Sequence, residues 1–440
     1  MTASANGHDS LHAVHFVNAR LVCPGTGRDE AGGLLIEAGV IADIGPHLAL
    51  ARSTAARTVE CQGHMLCPGL IDMQVFTGEP GEEHRETLAT ASRAAAAGGV
   101  STMLCMPNTD PVIDDIALVH YMKEAARDHA VVRVFPMAAM TKNLEGREMT
   151  EIGLLKNAGA TAFTNGKRSV ANAQVMRLLM AYAKDFDALV VHFTEDRDLA
   201  DGGMMNEGEV SSRLGLQGIP AAAETIMIER DLRLLALTGG RYHIAVVSSA
   251  ESLTPIRDAK QAGLAVSSGT TVNHLTLNEN DIGAYRTYFK LKPPLRREED
   301  RQALVAALRD GAIDVIVSSH DPQDADLKRR PFDEASDGAI GLETMLPAAL
   351  QLYHNREIEL LPLLAAMTSR PADLLRLSSG RLTPGAPADL ALVHLDLPWR
   401  VDALALHSRS KNTPFEDRVL QGKVMETWVG GRRVYHHAHG

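Results

Sequence analysis

Hydrophobic and polar positions alternate over short stretches at both ends of this chain and take up a longer rhythm between them. Val14 to Val22, Gly33 to Ala38 and Val40 to Ile44 alternate with a period of two and are separated by Gly and Pro, which predicts antiparallel strands. From Met65 to about Leu377, short apolar runs such as Ala188 to Phe193, His243 to Val247 and Ile313 to Ser318 are each followed by a segment of helical period. That order is the signature of repeated β/α units. Asp389 to Leu397 and Val419 to Tyr435 return to strand pattern, with Val429-Gly430-Gly431-Arg432 as a hairpin turn. The pattern therefore predicts an α/β protein: a small β layer, a long β/α region and a closing β segment.

Composition fits a large soluble core. The chain has 440 residues, 45% of them hydrophobic and only 4% aromatic, so the core must be built from Ala, Leu, Val and Ile rather than rings. A formal net charge of -11, spread along the chain, argues against a nucleic-acid or anionic-membrane partner. Cys23, Cys61, Cys67 and Cys105 show no CxxC spacing and form no disulfide framework, which makes a reducing cytoplasm the expected location. No apolar run approaches the roughly 18 residues of a spanning helix. The first residues lack the basic start and apolar centre of a signal peptide, and Met1 to about Leu11 reads as a mobile tail.

The chemistry-bearing stretch is Pro68-Gly69-Leu70-Ile71-Asp72-Met73-Gln74-Val75-Phe76-Thr77-Gly78-Glu79-Pro80-Gly81. It resembles the first barrel strand of dihydroorotases in the amidohydrolase superfamily, where PGLxDxHxHxREPG gives two histidines to the metal and an arginine to the substrate carboxylate. Further motifs follow in the order dihydroorotases show. They are Ala96-Ala97-Gly98-Gly99-Val100-Ser101-Thr102, Met106-Pro107-Asn108-Thr109, Met205-Asn206-Glu207-Gly208, Arg241-Tyr242-His243-Ile244-Ala245, Pro293-Pro294-Leu295-Arg296 and Gly341-Leu342-Glu343-Thr344. They span nearly the whole chain, so the resemblance implies a (β/α)8 barrel. It also implies three segments: residues 1-65 as the N-terminal part of a composite β-sandwich, 66-378 as the barrel and 379-440 as the C-terminal part of the sandwich.

The same resemblance locates the residues that would bind zinc, and here they are replaced. Gln74 and Phe76 stand for the two histidines and Gly78 for the arginine. Asn165, in Ala162-Phe163-Thr164-Asn165-Gly166-Lys167, stands where the fourth strand carries a bridging carboxylated lysine or aspartate. Phe193 and Val246 replace the histidines of the fifth and sixth strands, and Ser319 replaces the acid/base aspartate of the eighth. Phe and Val donate no lone pair, and a serine hydroxyl does not shuttle a proton near neutral pH as a carboxylate does. His192, by strand alternation, should point away from the mouth toward the helices, and His243 is expected off the metal-facing parity. No catalytic residue and no cofactor is expected on this reading, while zinc belongs to the alternative reading.

Asn108, His274, His320 and Asp321 remain as a residual ligand pocket, set against the plainer reading that they cap strand ends. His436, His437 and His439 form a terminal tail able to hold stray metal. Ser248-Ser249 and Ser318-Ser319 follow no G-x-S-x-G elbow, and Gly98-Gly99 and Gly239-Gly240 read as helix-to-strand turns rather than phosphate loops. The resemblance thus implies a pseudo-dihydroorotase of pyrimidine biosynthesis, a structural or regulatory partner of aspartate transcarbamoylase, with a homodimer common in the family. Asn412-Thr413-Pro414-Phe415 is a candidate contact segment. The alternatives are an active cyclic amidohydrolase with a rearranged site using His320, Asp321 and His274, and a non-catalytic sensor of pyrimidine intermediates using Asn108 and His274.

Overall fold

The structure, a computed structural model, describes residues 13–50 and 56–437. The expected tail from Met1 to about Leu11, and His439, lie outside the described residues. The strands are β1 (Val14–Cys23), β2 (Arg28–Glu37), β3 (Val40–Gly45), β4 (Arg57–Glu60), β5 (Met65–Pro68), β6 (Leu70–Val75), β7 (Val100–Cys105) and β8 (Arg133–Pro136). They continue with β9 (Leu189–His192), β10 (Met205–Asn206), β11 (Gly218–Ile219), β12 (Arg241–Ile244), β13 (Val266–Thr271), β14 (Val315–Val317), β15 (Leu390–Arg400), β16 (Val419–Val429) and β17 (Arg432–His436).

The two ends of the chain build one sheet, ordered β17-β16-β15-β5-β1-β2-β3, with β4 also paired to β1. Its seam is β5 against β15, antiparallel, with Leu390 opposite Pro68 and Leu392 opposite Leu66. Alternation gives this sheet an apolar face, where Phe16, Leu34 and Ile36 from the first strands meet Leu390, Leu392 and Trp428 from the last. The rings of Phe16 and Trp428 pack edge to face with centroids 5.2 Å apart. The expected hairpin at Gly430-Gly431 joins β16 and β17, with Val429 opposite Arg432.

Between the ends lies the barrel. β6, β7 and β8 are parallel neighbours, as are β9, β12, β13 and β14. A short stave at Phe163 bridges Ala138 on one side and Val190 on the other, and Val75 bridges His320 to close the ring. The interior is filled by Ile71, Met73, Leu104, Met106, Met137, Leu189, Val191, Ala245, Val315 and Val317, so the barrel is a packed core rather than a pore. The glycine pairs are turns, as the sequence predicts. Gly98 ends the helix Leu88–Ala97, and Gly99 at φ 80° turns the chain into β7. A Cβ on Gly98 would sit 2.0 Å from the Leu342 carbonyl oxygen, so only glycine fits.

Candidate functional site

The C-terminal ends of the barrel strands surround a cleft of about 1240 Å³, lined among others by Arg85, Asn108, Lys167, Glu195, Lys292 and Asp321. Position by position, its floor is not that of a metal site. Gln74 is buried and its Oε1 has no hydrogen-bond partner among the described residues. Phe76 is buried, its amide donating to the His320 carbonyl at 2.9 Å, and the Arg85 guanidinium lies over its ring, 4.2 Å from the centroid. Gly78 sits at φ 70°, and a Cβ there would come within 2.2 Å of the Glu86 carbonyl oxygen, so this backbone has no room for the arginine of the resembling motif.

Asn165 is spent on the scaffold. Its Oδ1 accepts from the amides of Met140 and Thr141 at 3.2 and 3.1 Å, and its Nδ2 donates to Thr141 Oγ1 at 2.7 Å. Phe193 and Val246 are buried apolar groups, and Lys292, paired at 2.8 Å with Glu195, reaches over the Phe193 ring. Ser319 takes a left-handed φ of 50° and borders a small void with Lys167, His274 and Lys292. A pair of divalent cations needs imidazole, carboxylate or thiolate donors converging on one point. The amides, phenyl rings, valine and serine found here do not fit that requirement. Among the described residues no group of three or more His, Cys, Asp or Glu side chains could share a metal ion.

The histidines are tied up elsewhere. His192 does point outward: its Nδ1 meets Asp231 Oδ2 at 2.6 Å while its Nε2 accepts the Val170 amide at 2.9 Å, which fixes the proton on Nδ1. Asp231 also accepts from Tyr242 Oη at 2.6 Å and from Arg230. Burial pushes that carboxyl up, but His192, Arg230 and Tyr242 outweigh burial and hold it below the ordinary carboxylate range. His243 departs from expectation. Rather than lying off the inward parity, it borders a small interior void with Gln74, Met73 and Val191, and its Nδ1 meets Ser267 Oγ at 2.8 Å. The cause is a shift of parity at the strand end, where Ala245 and Val246 both join the interior cluster.

The expected residual pocket does not assemble as a unit. His274 is locked between Thr271 Oγ1 at 2.7 Å and the carbonyls of Pro293 and Pro294 at 3.2 Å, so both ring nitrogens are used. His320 faces away from the cleft: its Nδ1 accepts the Gly341 amide at 3.2 Å, and its Nε2 lies 3.4 Å from Glu86 Oε2 without a hydrogen bond. Both rings thus hydrogen-bond the loops around them. Asp321 and Asn108 do line the cleft, and the Asn108 Oδ1 has no hydrogen-bond partner among the described residues. Asp321 is bound by Lys167 Nζ at 2.6 Å and Arg85 Nη2 at 2.8 Å.

Two other expectations meet the packing. Ser248 and Ser249 hold Glu224, and Ser248 also accepts from Arg296, which in turn donates to Asn206 at 2.9 Å. That scaffold network accounts for three of the sequence motifs at once. Asn412-Thr413-Phe415 is buried, with Asn412 bonded to Gln323 and Gly338, so this segment offers no contact surface. Arg85 and Lys292 escaped the sequence reading because no motif or period marks them. Arg85 has one retrospective signal, a guanidinium close in sequence to the Gly78 position that has lost one.

A parallel barrel closed by eight staves, flanked by a sheet from both chain ends and opening at the strand C-termini, is a (β/α)8 barrel of the amidohydrolase type. L-hydantoinase (dihydropyrimidinase) from Arthrobacter aurescens superposes with a TM-score of 0.87 at 24% identity, covering 97% of each chain. Dihydropyrimidinase from Brevibacillus agri NCHU1002 gives 0.83 at 21%, covering 96% of this chain and 95% of the other. Residues 63–252 match the family described as "Dihydro-orotase-like". The protein named "Dihydroorotase" in Anaplasma phagocytophilum (strain HZ) is 41% identical over 98% of this chain and 96% of its own length, and that of Ehrlichia canis (strain Jake) is 41% identical over the same shares. The chain belongs to the dihydroorotase-like family.

Proposed function

We propose that this chain is a dihydroorotase-like protein of pyrimidine biosynthesis that does not hydrolyse, and that it acts as a structural or regulatory partner of aspartate transcarbamoylase. The observation that carries this reading is the coordinated replacement at one place. Gln74, Phe76, Asn165, Phe193, Val246 and Ser319 fill the positions that would hold the metal pair and the acid/base carboxylate, while the surrounding scaffold networks are whole. Apolar replacements at Phe76, Phe193 and Val246 suit a mouth that no longer bears a cation, because an uncompensated polar ligand set would be costly to bury. The partner follows from the family resemblance alone. Its test is to pass the chain with the aspartate transcarbamoylase of its own organism over a sizing column. Co-elution with a change in that enzyme's activity or stability supports the reading, and separate elution at low and moderate salt removes it.

A second reading has its own support, since the relatives at about 40% identity carry the name dihydroorotase. On it the chain interconverts carbamoyl aspartate and dihydroorotate with a rearranged site that uses Asp321 and zinc. Turnover that needs added zinc and is lost in Asp321→Ala would establish it.

A further inference from the structure

In the resembling enzymes the metal pair ties together the ends of separate barrel strands, and the donor set here does not rebuild that tie. One carboxylate meets the same strand ends in its place. Asp321 follows the eighth strand, and its Oδ2 receives Lys167 Nζ at 2.6 Å from the loop after the Phe163 stave. Its Oδ1 receives Arg85 Nη2 at 2.8 Å from the loop after β6, and Gln323 Nε2 at 2.9 Å. Arg85 is itself fixed: Nε donates to the Pro322 carbonyl at 2.9 Å, Nη1 pairs with Glu82, and the guanidinium plane lies on Phe76. Lys167, Arg85, Asp321 and Glu82 sum to zero charge, so the cluster needs no further cation. Only 14% of the Asp321 side chain is exposed, against 20% for Lys167 and 15% for Arg85, which limits screening by solvent. The backbone follows the carboxylate closely. Asp321 donates its amide to Ala339 at 2.8 Å, and a Cβ on Gly338 would lie 2.7 Å from Oδ2.

We infer that Asp321 is an ionic cross-brace that closes the barrel mouth without metal, tying the loops at 82–86, 166–169 and 320–324 to one carboxylate. This role concerns the mouth itself and stands whether or not the chain binds aspartate transcarbamoylase. A carboxylate that joins three loops should, when neutralised, release all three, whereas a merely local hydrogen-bond acceptor should release its own loop only. The full-length protein is followed by amide hydrogen exchange as wild type, Asp321→Asn and Arg85→Lys, each with and without a chelator.

The expected result is at least tenfold faster exchange in all three segments of Asp321→Asn, with the wild type unmoved by chelator. Arg85→Lys keeps the charge but loses the fork, so it should loosen 82–86 while leaving 166–169 protected, which keeps the test readable if Asp321→Asn folds poorly. Faster exchange confined to 320–324, or a wild-type mouth loosened by chelator, would overturn the inference.

Discussion

Arg85 and Phe76 occupy one another's space at the barrel mouth, the guanidinium 4.2 Å from the ring centroid, on the side of the molecule where the family resemblance calls for a histidine and an arginine. A histidine at position 76 would set a smaller, more polar ring under the guanidinium and weaken that stacking. Replacing Phe76 by Ala is expected to cost about 3 kcal/mol through the void it leaves, with part of that loss from the cation–π contact. Urea denaturation of Phe76→Ala against wild type measures it. Installing histidines at 74 and 76 together is expected to leave zinc content substoichiometric, because Asn165, Phe193, Val246 and Ser319 still supply no partner ligands.

His192 and Asp231 make a buried pair remote from any chemistry. Asp231→Ala strands the His192 Nδ1–H, the Tyr242 hydroxyl and part of Arg230, so a loss of about 3–5 kcal/mol is expected. Asp231→Asn keeps one acceptor oxygen and should lose less. Neither change should alter zinc content, which elemental analysis of the purified variants checks.

Acid should weaken the fold in a defined window. Burial depresses the His274 ring from its ordinary 6.5 to about 4, and burial with Lys260 nearby depresses His243 to about 3. Below pH 6.5 the unfolded chain takes up these protons and the native chain does not, so stability falls as pH drops from 6.5 toward 4. Asp72, raised by burial to about 6, and Glu224, also raised by burial, work in the opposite direction, while Glu86, Asp231 and Glu298, held low by their partners, add to the loss at lower pH. Denaturation midpoints at pH 7.5 and pH 5 should differ, and His274→Gln should narrow the gap; an unchanged gap would contradict the assignment.

The seam between β5 and β15 puts Trp428 beside Phe16 across most of the sequence. Trp428→Ala is expected to destabilise the terminal sheet by about 3–5 kcal/mol. Its loss should also expose Phe16 and Leu66 to limited proteolysis before the barrel is cut, which mass spectrometry of the fragments reads directly.

Much of this was legible in the sequence, for reasons that differ by residue. Alternation located the terminal strands, and strand parity sent His192 outward correctly, because the β9 side chains alternate without a break. The same rule failed for His243, and no rule marked which way His320 would face. β12 shifts its parity at Ala245-Val246, and the chain after β14 turns through Ser319 at positive φ, neither of which leaves a mark in residue type. The ordered motifs marked, through the family resemblance alone, the positions expected to bind metal. The Arg85–Asp321–Lys167 contact was not legible, since it joins three loops with no periodicity and its partners are 236 and 154 residues apart. The segment at Asn412, expected as a contact segment, is buried, and its side-chain amide satisfies backbone groups of two other loops.

The most direct test of the account is turnover of dihydroorotate by the purified chain after removal of the terminal His436 to His439 segment, measured with added zinc and with chelator. No rate above buffer is expected in either condition. A zinc-dependent rate, stoichiometric with bound metal and abolished in Asp321→Ala, would contradict it and place the chain among the active hydrolases of its family.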